Sequence, residues 1–114
     1  MTLQELVKRI REFNAARDWD QFHSPKNLAM ALSVEVAEVV ELFQWLTEEQ
    51  SGDLPPGKRQ QLEAEIGDVL ICLLMLADKC GVDPVAAAER KIVTNDAKYP
   101  VMKCKGSAAK YSEL

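Results

Sequence analysis

The sequence predicts an all-α fold with four long helices arranged like a four-helix bundle. Apolar residues recur at the helical period in four segments of the chain. Three of these segments begin with a side chain that is typical of a helix N-cap, and no segment shows the apolar alternation of a strand. The length of 114 residues suits one domain with one core, so we predict a single domain over residues 1–114.

The first predicted helix covers residues 3–17. Thr2 and Glu5 have the spacing of a capping box, in which each side chain accepts a hydrogen bond from the other residue's backbone. The apolar residues of this segment keep the helical period, and they are Leu3, Leu6, Val7, Ile10 and Phe13. The connector that follows, residues 18–23, carries three aromatic side chains, namely Trp19, Phe22 and His23.

The second predicted helix begins at the Ser24-Pro25 pair. Serine is a favoured N-cap residue, and proline is favoured at the first helical position because its missing N–H group has no partner there anyway. We expect this helix to run to about Thr47. Residues 51–57 contain two glycines and two prolines, so they predict a loop.

The third and fourth predicted helices have equally clear ends. The third covers about residues 58–80 and stops at Gly81, since glycine accepts the left-handed conformation that often ends a helix. The fourth opens at the Asp83-Pro84 pair and ends near residue 98, before Pro100.

Composition and charge exclude several classes of protein. The net charge is −4 and the isoelectric point is near 5.0, which argues against a nucleic-acid-binding surface. The longest apolar run, residues 69–77, is too short to span a bilayer, so we expect no membrane association. The N-terminus leads straight into an amphipathic segment, and the three cysteines form no closely spaced pair. We therefore expect no signal peptide and a cytoplasmic, reducing location.

Two pairs of acidic residues stand within the apolar stripes of the second and third helices. Glu35 and Glu38 form one pair, and Glu65 and Asp68 form the other. Each pair has i,i+3 spacing, so both members share one helix face. The stripes contain Leu28, Leu32, Glu35, Val39, Leu42 and Leu46 on the second helix and Leu62, Glu65, Val69, Cys72 and Leu76 on the third. Because an acid on an apolar face is costly without a positive partner, four such acids predict a site for a hard cation.

The alternative to a metal site is that each pair lies on a solvated helix surface, which is the usual place for a single i,i+3 acidic pair. Two pairs on the apolar stripes of two long helices favour the metal site instead. Four carboxylates without histidine favour Mg²⁺, with Mn²⁺ as a substitute, over zinc or copper. The one histidine, His23, lies outside both acidic motifs, which argues against a di-iron bundle.

Carboxylate-bound magnesium predicts phosphoryl or nucleotidyl transfer to water as the reaction class. A carboxylate that is not fully used on the metal can orient or deprotonate the attacking water. The sequence does not decide which of the four does so, and Glu35 and Glu38 are the first candidates for this catalytic role.

Glu35-x-x-Glu38 followed by Glu65-x-x-Asp68 resembles the signature of the all-α nucleoside triphosphate pyrophosphatases, the MazG-like superfamily. Further segments resemble its dCTP pyrophosphatase branch. They are RDWDQFH at 17–23, PKNL at 25–28, ELFQW at 41–45, TN at 94–95, YPV at 99–101, GSA at 106–108 and KY at 110–111. The resemblance covers about residues 5–114.

The resemblance implies hydrolysis of a nucleoside triphosphate between its α and β phosphates, with dCTP or a modified dCTP as substrate and a house-cleaning role in the nucleotide pool. It implies magnesium at the four acids. It also implies base and sugar recognition by Trp19, His23, Asn27 and Trp45, and phosphate contacts from Lys91, Asn95, Lys98 and Tyr99. Such proteins are homo-oligomers, commonly tetramers built as dimers of dimers, with sites between subunits.

Two positions depart from the pattern of the branch. Ile10 stands where the resemblance leads us to expect a histidine, and Cys72 stands where it leads us to expect a tyrosine. Both positions would lie near the nucleotide pocket, so the base preference stays open. A dUTP or broad-range pyrophosphatase is one alternative, and a non-catalytic helical module that binds nucleotides or partner proteins is another.

Several candidate site residues also have plain structural interpretations. Trp19 and Trp45 are suited to stacking on bases, or to a core or subunit contact. Lys91 and Lys98 could complement the C-terminal end of the fourth helix. The basic tail, residues 101–114, could fold over bound phosphate as a mobile lid or be a terminus without fixed structure.

Overall fold

The computed structural model describes residues 1–113, and within that range it contains helices and no strand. The α-helices are α1 (Leu3–Ala16), α2 (Pro25–Phe43), α3 (Glu48–Ser51), α4 (Pro56–Lys79), α5 (Pro84–Lys98) and α6 (Val101–Cys104). One 3₁₀ turn, Asp20–Phe22, lies between α1 and α2, and another, Tyr111–Glu113, follows α6. The all-α prediction and its four long helices are confirmed, while α3 and α6 are additions to it. Residue 114, the last of the predicted domain and tail, lies outside the described residues.

The predicted N-caps form as expected. The Thr2 hydroxyl accepts from the Glu5 backbone at 3.1 Å, and the Glu5 carboxylate accepts from the Thr2 backbone at 2.8 Å. The Ser24 hydroxyl accepts from the Asn27 backbone at 3.2 Å, and the Asp83 carboxylate accepts from two backbone N–H groups of the first turn of α5. Each cap contributes about 1 kcal/mol to helix stability.

The prediction that the second helix runs to Thr47 is wrong, because α2 ends at Phe43. Thr47 has an extended backbone, and its hydroxyl accepts from the Gln50 backbone at 3.1 Å while Gln50 Oε1 accepts from the Thr47 backbone at 3.0 Å. This second capping box starts α3 at Thr47, so α2 does not continue to that residue.

The predicted start of the third helix is two residues late, because α4 begins at Pro56, inside the predicted loop. Pro55 is the N-cap residue of α4, and Pro56 occupies the first helical position, where proline is favoured. At the other end Gly81 has a φ of 66°, which is the left-handed conformation expected after a helix.

The chain forms two compact units, Met1–Gly81 and the residues from Val82 onward. In the first unit, α4 packs mainly against α2 and also against α1. Few apolar side chains of the described residues are fully buried, namely Ile10, Leu28, Cys72 and Leu74. The prediction of a single domain over residues 1–114 stays a prediction.

The predicted apolar stripes agree with the observed burial. Every stripe residue on α2 and α4 is buried or half-buried, and Leu28 is only 2% exposed. Some apolar residues off the stripes are exposed, as Val34 and Ile66 show, whereas Leu74 on α4 is buried although it lies off the predicted stripe. Within residues 1–113, no helix combines the length and the apolar character that a membrane span requires.

Candidate metal centre and adjoining cavity

Four carboxylates converge between α2 and α4. Glu35 and Glu38 project from α2, and Glu65 and Asp68 project from α4. One oxygen from each of the four lies within 4.8 Å of the corresponding oxygens of the other three. The first three residues are half-buried and Asp68 is exposed. The convergence follows from the sequence, since α2 and α4 pack together along the stripes that carry both pairs.

Among the described residues, the four acids have no positively charged partner. Of the ion pairs formed within residues 1–113, none involves these four carboxylates. Glu35 Oε2 and Glu65 Oε2 are buried and have no hydrogen-bond partner among the described residues. Buried anionic oxygens without partners are costly, and a divalent cation bound by oxygen ligands would satisfy them. The donor set therefore fits a hard divalent metal ion.

The crowding of the acids changes their titration. Burial, followed by repulsion from Glu38 and Asp68, raises the pKa of Glu35 above its ordinary value. A side-chain hydrogen bond with Glu38, followed by burial and repulsion from the other acids, raises the pKa of Glu65. Without a metal ion, Glu35 and Glu65 therefore keep their protons to higher pH than an ordinary glutamate does, and a bound cation would oppose this shift.

We expect the metal-free protein to become less stable as the pH rises from about 4.5, the ordinary pKa of glutamate. With raised pKa values, the folded state binds more protons than the unfolded chain in this window, so the free energy of unfolding falls with pH. The pKa of Asp78 is lowered instead, by its hydrogen bond to Arg11, and its opposite contribution lies below pH 4.

Urea unfolding in EDTA between pH 4.5 and 7.5 measures this slope. The matched control is the double variant Glu35→Gln, Glu65→Gln, whose unfolding midpoint should fall less steeply with pH. Equal slopes in both proteins would contradict the assignment of the effect to these two carboxyl groups.

A cavity of about 420 Å³ adjoins the carboxylates, and we name it the acid-lined cavity. Glu35 and Asp68 are among its lining residues, as are Trp19, His23 and Asn27. The remaining lining residues are Phe22, Leu28, Ala31, Ile71, Cys72 and Met75. A volume of this size suits a small-molecule ligand. The structure thus brings three of the four predicted base-recognition residues to one cavity with two of the four acids.

The aromatic residues of this cavity contact one another. The Trp19 ring lies edge-on to Phe13, with centroids 5.6 Å apart, and edge-on to His23 at 6.5 Å. His23 Nδ1 is buried without a hydrogen-bond partner among the described residues. Asn27 Nδ2 donates to the Phe22 carbonyl at 3.1 Å, so its amide nitrogen is already engaged by the protein. The aromatic part of the lining therefore consists of a Trp19 ring held by two edge-on neighbours and a His23 ring with a buried, unpartnered nitrogen.

Trp45 lies apart from this cavity within the protomer. Because α2 ends at Phe43, the helix face that carries Glu35 does not extend to Trp45. The side chain is 87% exposed, and it does not line the acid-lined cavity.

The predicted phosphate-contacting residues belong to the second unit. Lys91, Asn95 and Lys98 lie on α5, with spacings that place them on one face, and Tyr99 caps its C-terminal end. Lys98 Nζ stands 5.0 Å from the centroid of the Tyr111 ring, which also packs edge-on against Tyr99 at 6.1 Å. Their role in binding phosphate stays a prediction.

The sequence analysis did not identify five lining residues of the acid-lined cavity as site residues, namely Phe22, Leu28, Ala31, Ile71 and Met75. Ile71 and Met75 follow Asp68 at i+3 and i+7, so they share its helix face and this spacing is a signal for them. Cys72, which the resemblance places near the nucleotide pocket, lines this cavity and is buried. Its thiol also donates to the Leu28 carbonyl at 3.5 Å.

Comparisons with known proteins agree with the geometry. Residues 30–114 match the family model described as the MazG-like family. The chain is 46% identical to dCTP pyrophosphatase 1 of Mus musculus and 44% identical to that of Homo sapiens, in each case over 99% of this chain and 68% of the relative. A crystal structure of a pyrophosphatase from Archaeoglobus fulgidus DSM 4304 superposes with a TM-score of 0.82 at 41% identity, covering 86% of this chain and 92% of that one.

Proposed function

The chain belongs to the MazG-like family, in its dCTP pyrophosphatase branch, and on that premise we propose that it hydrolyses dCTP to dCMP and pyrophosphate. One structural observation supports this proposal above the others. The same cavity is lined by two carboxylates, Glu35 and Asp68, and by the aromatic side chains of Trp19 and His23, a combination that suits a ligand with both phosphates and a base. Such an activity would remove or balance dCTP in the nucleotide pool.

Magnesium is the proposed metal, with manganese as a substitute. Glu35, Glu38, Glu65 and Asp68 would hold it, because an all-carboxylate donor set suits hard cations. The bound ion supplies neutralisation of polyphosphate charge and a lower pKa for coordinated water.

Glu35 and Glu38 are the proposed catalytic residues. Either carboxylate can accept a proton from the attacking water, whose oxygen forms the new bond to phosphorus as the bond between the α and β phosphates breaks. The buried, unpartnered oxygen of Glu35 supports its ability to hold that proton. Pyrophosphate then carries away the electron pair of the broken bond, and the proton returns to solvent.

The base end of the nucleotide is assigned to Trp19, His23 and Asn27. The Trp19 ring would stack on the base, and His23 Nδ1 would satisfy its hydrogen-bonding capacity against a polar edge of the nucleoside. Asn27 Oδ1 would accept from the ligand, since the amide nitrogen is engaged with Phe22. Lys91, Asn95, Lys98 and Tyr99 are the proposed phosphate contacts, and residues 101–114 are the proposed lid.

A homo-oligomer, built as a tetramer of two dimers, is the proposed assembly. The protomer buries few apolar residues and leaves apolar side chains of both central helices more than one-third exposed, among them Met30, Val34 and Val40 on α2 and Ile66, Leu70 and Leu73 on α4. Large exposed apolar surfaces are typical of protein contacts. Trp45 would then reach the site of a neighbouring subunit, which would reconcile its predicted role with its exposure.

We expect Val34→Glu to weaken this assembly, because a charge would have to be desolvated in an apolar contact. Light scattering after size exclusion should give the wild type a mass that is a multiple of the 12.7 kDa protomer, and the variant a smaller one. Glu49→Lys, on the exposed helix α3, is the matched charge-change control and should keep the wild-type mass. A wild type that is monomeric at micromolar concentration would contradict the assembly.

Pyrophosphate release from dCTP, with and without magnesium, tests the proposed function. The panel should include all canonical nucleoside triphosphates, and we expect magnesium-dependent release that is fastest with dCTP. A dUTP rate far above the dCTP rate, or equal rates for many bases, would keep the reaction and replace the substrate. Absence of release from every nucleotide would favour the non-catalytic helical module.

A further inference from the structure

The loop that carries Trp19 and His23 joins α1 to α2, and we name residues 17–24 the connecting loop. Its first half is attached to the end of α1, since the Trp19 backbone donates to the Asn14 carbonyl at 3.0 Å. Asp18 sits there with a φ of 51°, a left-handed conformation that aspartate tolerates better than most residues. Its second half is attached to α2 through Asn27 and the Phe22 carbonyl.

Between these attachments, α4 reaches the connecting loop through an ion pair. Lys79 Nζ lies 3.4 Å from Asp20 Oδ1, and within residues 1–113 this is the single ion pair that involves the loop. The two side chains are partly exposed, at 37% and 50%. The neighbouring residue Asp78 forms a two-point ion pair with Arg11, which fixes α1 to the same end of α4.

A second cavity lies behind the connecting loop, and we name it the rear cavity. It measures about 320 Å³, and its lining includes Asp20, His23 and Lys79. His23 and Met75 also line the acid-lined cavity, so the two spaces share these two side chains. Asp20 and Lys79 both line the rear cavity, so their ion pair joins the connecting loop to α4 at its rim.

Helix α4 connects this rim to the candidate metal centre. Asp68 and Lys79 are on the same uninterrupted helix, about 16 Å apart along its axis at the standard rise per residue. A contact between Lys79 and the loop therefore fixes the position of Trp19 and His23 relative to the acids of α4. A ligand that must reach both ends of the acid-lined cavity depends on that relative position.

We propose that Lys79 is a positioning residue, which through its ion pair with Asp20 holds the connecting loop in the conformation that binds the nucleoside. Lys79 touches neither the acid-lined cavity nor the carboxylate cluster. Its effect on the reaction is exerted through Trp19 and His23. The expected change in KM rests on the proposed function. The expected change in the position of the loop rests on the loop geometry alone.

Steady-state kinetics with dCTP and magnesium measure the kinetic consequence. We expect Lys79→Met and Asp20→Asn each to raise KM about threefold, the size that suits a partly exposed ion pair, and to leave kcat within about twofold. The two changes should not add when combined, because they remove the same contact. The charge-exchanged protein Asp20→Lys, Lys79→Asp should recover most of the lost affinity, which a merely structural role of either side chain would not predict.

The chain offers a matched control in Arg59 and Glu63. They form an exposed ion pair at 3.5 Å on the same helix, remote in sequence from the connecting loop. Arg59→Gln and Glu63→Gln should leave KM unchanged. An unchanged KM in both Lys79→Met and Asp20→Asn, additive effects in the double variant, or a charge-exchanged protein that is worse than either single variant would overturn the proposal.

Acrylamide quenching of Trp19 measures the structural consequence without any reaction. Trp19 and Trp45 are the two tryptophans of the chain, so a Trp45→Phe background isolates the Trp19 signal. In that background Lys79→Met should make Trp19 more accessible to acrylamide, and the charge exchange should reverse the increase. If the wild type hydrolyses no nucleotide, the proposed function fails while this experiment still decides the positioning role, and equal quenching in all variants would refute it.

Discussion

Glu38→Gln and Asp68→Asn are each expected to abolish detectable turnover of dCTP, a loss of at least about a hundredfold. Removal of groups that only support metal ligands typically costs 10- to 100-fold, so the loss of a ligand should cost at least the upper end of that range. Both substitutions keep the size of the side chain and remove one negative charge from a cluster whose oxygens lie within 4.8 Å of one another. Helical content should therefore stay unchanged, because the substitutions relieve repulsion instead of creating a cavity.

Three measurements separate this outcome from unfolding. Circular dichroism gives the helical content, titration calorimetry with magnesium or manganese gives metal affinity, and pyrophosphate release gives turnover. Glu63→Gln, an exposed acid on the same helix and outside the cluster, is the control and should behave as the wild type does. Retained turnover in both cluster variants would refute the metal centre, whatever their affinity for the ion.

Trp19→Ala is expected to raise KM for dCTP by about tenfold or more. Stacking between a base and an aromatic side chain is worth about 1–3 kcal/mol by alanine substitution, and about 1.4 kcal/mol corresponds to a factor of ten. The substitution also removes the edge contacts with Phe13 and His23, so His23 loses a neighbour that orients it.

Trp19→Phe is the matched variant for this position. It keeps an aromatic face and should recover a large part of the affinity for dCTP. If Trp19 only filled space, leucine at this position would recover the affinity equally well. KM from the dCTP assay and urea midpoints for the same proteins distinguish binding from stability. A Trp19→Ala protein with the wild-type KM would exclude stacking at this position.

The candidate site was predictable where it depends on periodicity. The spacing of Glu35, Glu38, Glu65 and Asp68 within two apolar stripes is enough to place all four at one helix contact, and the structure places them there. Helical spacing is a local property of the backbone, so it can be read without knowledge of the tertiary structure. The capping boxes and proline starts are local in the same sense, which is why most helix ends were close to the observed ones.

The errors have local causes too. The end of α2 was missed because Thr47 was interpreted as the end of one helix, although its spacing to Gln50 is that of a new capping box. The expected position of Trp45 depends on the same prediction, because a helix that ran to Thr47 would include this residue.

The two long-range ion pairs at the C-terminal end of α4 could not be predicted. Lys79 and Asp20 are separated by 59 positions, and Arg11 and Asp78 by 67. Charged surface residues carry no periodic signal that would identify their partners, and their pairing depends on how α1, α2 and α4 pack. The cavity behind His23 depends on the same packing and has no signature in the sequence.

The few fully buried side chains of the protomer have a consequence for how the protein behaves at different concentrations. In the proposed homo-oligomer, each association event would withdraw from water apolar surface that a single chain leaves exposed, and mass action would then add to its stability. The melting temperature of such an assembly would fall on dilution. Folding and association would form one equilibrium, so the concentration of the chain would set how much of it is folded and how much is open to proteolysis.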